Sequence, residues 1–109
     1  MFATIQIKLR KPLLEKKMIE EILQQNDTFK VDGDSMILAG LHNGMHVIID
    51  KSITPKPKDI VVVEIDNKIF IKEFDISENL PIFRSRNLNY PDIINYKTYK
   101  IFGVVISRF

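Results

Sequence analysis

The chain has 109 residues, 45% of them apolar, which suits one globular domain able to bury a core of its own. Sixteen Lys and Arg against fourteen Asp and Glu leave a net charge of only +2 with the signs interspersed, so no basic face for sequence-specific DNA binding is indicated. The lack of cysteine excludes disulfides, zinc–thiolate sites and thiol nucleophiles together, and no apolar run approaches the roughly 20 residues of a membrane span. Because the first residues, from Met1 to Lys11, also lack the order of a secretory signal, a cytoplasmic protein with no membrane partner is expected.

Residues 2–8 alternate weakly through Phe2, Ile5 and Ile7. Pro12 then opens a stretch in which Leu14, Met18 and Ile22, flanked by Ile19 and Leu23, recur at helical spacing, and an amphipathic helix is expected over 12–25. Gln24, Gln25, Asn26 and Asp27 end it. Beyond that point the pattern changes to short extended runs. Residues 29–31, 47–49 and 60–65 read as strands, bounded by turn residues at Asn43-Gly44 and Thr54-Pro55-Lys56-Pro57. Asp66-Asn67 separates VVVEI from KIFIKEF, and because both residues tolerate positive backbone angles, a tight hairpin is predicted there. Residues 80–84 and 100–106 supply two further strands, with a loop held by Pro91 between them. The expected fold is mainly β, a small partly open barrel or sandwich over residues 29–109, preceded by an arm and helix over 1–28.

In a strand, alternate side chains share a face, so Lys72 stands between Phe70 and Phe74 while Ile71 and Glu73 point the other way. If that face is covered, desolvation disfavours the ammonium and moves the lysine towards a neutral amine, which is a base. Upstream, Gly33-Asp34-Ser35-Met36 offers a serine in a sharp turn. A serine hydroxyl becomes a nucleophile once a base takes its proton, and a desolvated lysine can do so without histidine or aspartate. Taken singly, Ser35 reads as a turn residue and Lys72 as a lysine laying its methylenes on apolar surface. His42 and His46 lie in LHNGMH, where Gly44 interrupts any helix that would align them, and read as loop or surface residues. No metal or cofactor is expected.

Gly33-Asp34-Ser35-Met36, Gly40-Leu41 with Gly44, the VIID of 47–50, the DIVVV of 59–63 and the IKEF of 71–74 follow one another in the order and spacing of the LexA/UmuD family of self-cleaving serine peptidases. The chain resembles that family from 29 to 106, with Asn87, Tyr90-Pro91-Asp92-Ile93 and the FGVVI of 102–106 similar to its closing loop and last strand. Within the family it looks most like the processed, short form of UmuD, accessory subunit of an error-prone translesion DNA polymerase. The resemblance implies Ser35 as nucleophile, Lys72 as general base thirty-seven residues further on, and the backbone N–H groups of Asp34 and Ser35 as the oxyanion hole. It also implies a role in the SOS response to DNA damage, a homodimer, and a translesion polymerase and a RecA-type recombinase filament as partners.

Several positions depart from the family. Its acidic-Gly-acidic turn is Asn43-Gly44-Met45 here, and the glycine expected before Asp59-Ile60-Val61 is Lys58; both changes fall in turns and are expected to touch the chemistry little. Family members are cut at a small-residue–Gly bond in an N-terminal arm, whereas no glycine precedes Gly33. Ala39-Gly40 is too close to Ser35 to fold back into its own site. The chain begins about where a processed UmuD would, which fits either a processed product or a relative that dispenses with processing. Two other readings compete. One is the catalytic and dimerisation domain of a LexA-like or phage-type repressor, which calls for a helix-turn-helix where residues 1–28 offer one helix. The other is a signal-peptidase relative, which calls for a membrane anchor and a proline soon after the serine, where this chain has Ile37-Leu38-Ala39.

Overall fold

The computed structural model describes residues 27–109, and the helix expected over 12–25 lies outside them. The described chain is built of strands with almost no helix: β1 (Thr28–Lys30), a short 3-10 helix (Ile37–Ala39), β2 (His46–Asp50), β3 (Ile60–Ile65), β4 (Lys68–Ser77), β5 (Leu80–Arg84) and β6 (Tyr99–Arg108). All six strands form one antiparallel sheet in the order β1-β2-β6-β3-β4-β5, open at β1 and β5. The mainly β, partly open architecture expected from the sequence is therefore present, as a single sheet.

The sequence of β3 explains its central place. Ile60 and Val62 join Val47, Ile49 and Val105 in one apolar cluster, while Val61, Val63 and Ile65 join Phe74, Phe83 and Val104 in another. A strand buried on both faces needs a continuous β-branched run, which is why this stretch does not alternate. The last strand, β6, lies between β2 and β3, and register shifts opposite Ile48/Ile49 and Val62/Val63 mark bulges along it. Gly103 lies on this strand, and a Cβ there would stand 3.0 Å from the Asp50 carbonyl oxygen and the Ile49 side chain, so the close approach of β6 to β2 requires glycine.

Two turns set the registers on the other side of the sheet. Asp66 (φ 46°) and Asn67 (φ 68°) make the tight β3–β4 hairpin predicted for them. A second turn of the same kind, Glu78 (φ 51°) and Asn79 (φ 64°), joins β4 to β5. Lys72 is consequently fixed opposite Val61, and Glu73 opposite Arg84. The Asp66 carboxylate does more than turn the chain: it accepts the backbone N–H groups of Lys97 and Thr98, both at 2.9 Å. Those two donors hold its pKa below the usual carboxylate value, Thr98 contributing most. The entry to β6 is thereby tied to the hairpin.

Phe83, fully buried, makes ring contacts with Phe74, Tyr96 and Tyr99. The segment between β5 and β6, expected to be a loop, is docked in its middle: Phe83 and Ile93 exchange backbone hydrogen bonds at 3.0 and 2.7 Å along the outer edge of β5. His42 lies exposed in a turn, whereas His46 begins β2 and stacks on Phe109 at 5.2 Å. Among the described residues no helix is long and apolar enough to cross a membrane.

Lys58 holds φ at 78°, a left-handed conformation that a side chain resists, at the position where the family resemblance leads one to expect glycine. Relief of that strain, on the order of 1–2 kcal/mol, exceeds the entropic cost of glycine in the unfolded chain, roughly 0.5–1 kcal/mol. Lys58→Gly should raise the urea midpoint by up to about 1 kcal/mol of stability, and Lys58→Ala should leave it unchanged or lower. Equal midpoints for the Gly and Ala variants would show that the turn is unstrained.

Candidate active site

Residues 31–45 form a loop closed on itself. Val31 N–H donates to Met45 O at 2.7 Å, Gly44 N–H to Val31 O at 2.9 Å, and Gly33 N–H to the Asn43 side-chain oxygen Oδ1 at 2.8 Å. Asn43, in the turn that departs from the family's acidic pattern, is thus bonded to the serine loop. Its amide closes the serine turn two residues before Ser35. Gly33, with φ at 87°, makes the sharp reversal that a side chain would strain. Val31, Met36, Ala39 and Leu41 sink into the core with Val47 and Val105. Met36 thus anchors the turn, and Ser35, one residue earlier, is left half-buried at its surface. Among the described residues, the backbone N–H groups of Asp34 and Ser35 find no acceptor.

Lys72 is only 4% exposed. Its neighbours on the same face, Phe70 and Phe74, pack with the second apolar cluster, and Nζ stands 5.6 Å from the centre of the Phe70 ring. Nζ donates a hydrogen bond to Ser85 Oγ at 2.8 Å, and Ser85 Oγ donates onward to Pro91 O at 3.1 Å. Burial pushes the pKa of Lys72 down; Asp92 opposes this from a distance. The Asp92 carboxylate is itself engaged, accepting Arg84 Nη1 and Ser85 N–H at 3.0 Å each. The amine therefore has an uncharged hydroxyl as its hydrogen-bonding partner, with a carboxylate further off whose charge Arg84 offsets.

The segment that follows β5 joins these two parts. Arg86 N–H donates to Ser35 O at 2.7 Å, Leu38 N–H donates to Arg86 O at 2.9 Å, and Asn87 Nδ2 donates to Asp34 O at 2.9 Å. Ser85, one residue earlier, holds Lys72. The Ser35 backbone carbonyl and the Lys72 amine are thus held by adjacent residues just past the end of β5, while no hydrogen bond joins the Ser35 hydroxyl to Lys72 Nζ among the described residues. Arg86 is further secured by Glu73, whose Oε1 accepts its Nε at 2.9 Å and its Nη2 as well. The two side chains differ in exposure, 45% for Arg86 and 8% for Glu73. Loss of the arginine would strand a buried carboxylate, which makes this pair a structural clamp and not a surface ornament.

A small cleft of about 90 Å³ opens beside Ser35, walled by Phe29, Lys30 and Met36 on one side and by Ile69, Phe70 and Ile71 on the other. It adjoins β1, which among the described residues is an edge strand of the sheet. A larger hollow of about 380 Å³ also contains a serine and a lysine, Ser52 and Lys51. There the chemistry differs: Lys51 is 64% exposed and paired with Asp27 at 3.1 Å, and the Ser52 hydroxyl is bound to Asp50 Oδ1. Nothing in that hollow desolvates an amine.

The motif of residues 87–93 singles out Asn87 in the sequence, but no spacing rule points to Ser85 or Arg86. Their contacts follow from the Glu78-Asn79 turn. Continued by one step beyond Glu73 opposite Arg84, its register sets Lys72 against Ser85. Recognition of that turn would have found the pair; glutamate, an unusual residue for a left-handed turn position, conceals it.

The Peptidase S24-like family model matches residues 5–106. A LexA repressor of Verrucomicrobium spinosum is 36% identical over 80 residues, 73% of this chain and 39% of the relative. A LexA repressor of Clostridium perfringens is 37% identical over 93 residues, 76% of this chain and 46% of the relative. Protein SamA of Salmonella typhimurium is 36% identical over 78 residues, 69% of this chain and 52% of the relative. The chain thus spans about half, or less, of the length of these relatives. With a family match over nearly its whole length, and with the serine turn, the buried lysine and the β-sheet that carries them, the chain belongs to the S24-like family of LexA/UmuD-type self-cleaving serine peptidases.

Proposed function

We propose that this chain is a Ser–Lys peptidase in which Ser35 is the nucleophile, Lys72 the general base, and the Asp34 and Ser35 backbone N–H groups the oxyanion hole. The observation that carries this reading is the buried Lys72 amine, bonded to a neutral hydroxyl one residue from the strand end that holds the Ser35 carbonyl. An extended substrate arm, from this or a second chain, lies along β1 with a small side chain in the cleft beside Ser35. Lys72 Nζ takes the Ser35 hydroxyl proton as Oγ bonds to the substrate carbonyl carbon, and the displaced electron pair is held on oxygen by the two N–H groups. Collapse breaks the C–N bond, with the lysine proton passing to the departing amine. Water, deprotonated by Lys72, then releases the acyl group as a carboxylic acid and restores Ser35.

In the cell, the reading favoured by the sequence motifs is an UmuD-like SOS protein, a cytoplasmic homodimer that serves as accessory subunit of a translesion polymerase and meets the recombinase filament. A LexA-like repressor domain is the second reading, and it is favoured by the LexA repressors among the relatives, of which this chain matches 39% and 46%. A translesion-polymerase gene next to this one, and capture of that polymerase by the purified chain, support the first. A preceding helix-turn-helix domain supports the second.

The peptidase is tested on the Clostridium perfringens LexA repressor whose own nucleophile has been replaced, supplied in trans. Wild-type chain should cut it, and Ser35→Ala and Lys72→Ala should each lower the rate by at least about 100-fold. Undiminished cutting by Lys72→Ala rules the mechanism out.

The pH dependence follows from the downward shift of Lys72. Only the neutral amine accepts a proton, so the rate should climb with pH through a midpoint below the ordinary lysine value of 10.5. The unfolded chain binds that proton more tightly than the folded one, so stability should also rise with pH between the folded pKa and 10.5. Lys72→Met should abolish this rise and stabilise the fold at neutral pH, as read by urea denaturation at several pH values. A wild-type stability flat over that range would contradict the depressed pKa.

A further inference from the structure

We propose that Ser85 is the positioning residue of the Lys72 base: its hydroxyl, committed as a donor to the Pro91 carbonyl, fixes one N–H of the amine and so aims the nitrogen lone pair away from itself. The inference deepens the peptidase reading and rests on it. Pro91 O can only accept, so the 3.1 Å contact takes the Ser85 proton. Ser85 Oγ is then left as an acceptor, and the 2.8 Å contact from Nζ uses one of the amine's N–H groups. A neutral amine has two N–H groups and one lone pair. Had the Ser85 proton pointed at Nζ, it would have occupied that lone pair and silenced the base. The Pro91 carbonyl removes this possibility.

The position of Ser85 is itself fixed from several directions. Its N–H donates to Asp92 Oδ1 at 3.0 Å, and Asp92 Oδ2 accepts Arg84 Nη1. The next residue, Arg86, is held by Glu73 through its side chain and by Ser35 O and Leu38 N–H through its backbone. Ser85 is therefore flanked by a residue whose backbone is bonded to both Ser35 and Leu38. The base and the nucleophile share one rigid support, two residues long, and the hydroxyl is the part of it that touches the base. The groups facing Nζ are the Phe70 ring of its own strand, the Ser85 hydroxyl, and the Asp92 carboxylate at longer range, with Arg84 beyond it. On β3 the residue opposite Lys72 is Val61, which carries no charge.

The test labels Ser35 of the full chain with a fluorophosphonate, whose phosphorus takes the serine oxygen as fluoride departs, and follows the rate against pH. Wild type is compared with Ser85→Ala, Ser85→Val and Ser85→Thr, the last two matched in shape and differing in the hydroxyl. The Ala and Val variants should lose about 10- to 100-fold of the high-pH plateau, the scale expected when a reacting group is misaimed. Their midpoint should also fall, because the ammonium has lost an acceptor, while the Thr variant retains both plateau and midpoint. A loss of general rigidity would lower the rate without moving the midpoint down. Folded Ala and Val variants that match wild type in plateau and midpoint, or a Thr variant as slow as Val, overturn the role of Ser85 and leave the Ser35–Lys72 reading standing. A wild-type chain unlabelled at Ser35, or a Lys72→Ala variant labelled as fast as wild type, overturns that reading and this inference together. If the Ala and Val variants do not fold, Ser85→Cys, a weaker acceptor of similar shape, replaces them: a rate at Ser35 below that of Thr supports the assignment, and equal rates overturn it.

Discussion

A lysine amine sealed inside a small β-sheet is the constraint around which the rest of this molecule is arranged. Placing a cation among Phe70, Phe74 and Val61 opposes folding unless the group finds a partner or gives up its proton. A carboxylate in direct contact would have solved the problem and fixed the charge. Instead the direct partner is the Ser85 hydroxyl, and Asp92, the carboxylate whose charge acts on the amine, is engaged by Arg84 and by a backbone N–H. Such an environment tolerates the ammonium poorly and the amine well, which is the condition a general base requires.

The geometry that achieves this is mostly a matter of register. Two two-residue turns, Asp66-Asn67 and Glu78-Asn79, allow β4 no freedom to slip against either neighbour. A slip of one residue would turn Lys72 to the face of Ile71 and break its contact with Ser85. The Ser35 turn is fixed by different means, with Met36 and Leu41 as apolar anchors and Gly33, Asn43 and Asn87 as polar ties. The two halves meet at residues 85–87. Arg86 is clamped to Glu73, next to Lys72 on β4, which ties the segment holding Lys72 back to the strand that carries it.

Much of this was legible in the chain itself. The apolar run of residues 60–65 announced a strand, Asp66-Asn67 announced its hairpin, and alternation placed Lys72 between two phenylalanines. Order and spacing of the motifs identified the family. Three features were not legible. Ser85 and Arg86 act through a register that depends on a turn containing glutamate, a residue that gives no turn signal. The docking of Ile93 on Phe83 adds a rung on β5 within the expected loop, because the exposed edge of that strand has backbone groups to satisfy. Asn43, a departure from the family's acidic turn, gains its role from a hydrogen bond to Gly33 across ten residues of sequence.

The named relatives include LexA repressors, and one fold can host more than one function. Whatever surrounds the sheet, the account turns on the amine at its centre. The most direct measurement is therefore of that amine: the Lys72 side chain, labelled with ¹³C at Cε, followed by NMR as pH is raised in the folded wild-type protein. A titration midpoint well below the ordinary lysine value of 10.5 is the expected result. A midpoint at that ordinary value would mean that Lys72 remains an ammonium throughout the working range, and the account of a desolvated base would be wrong.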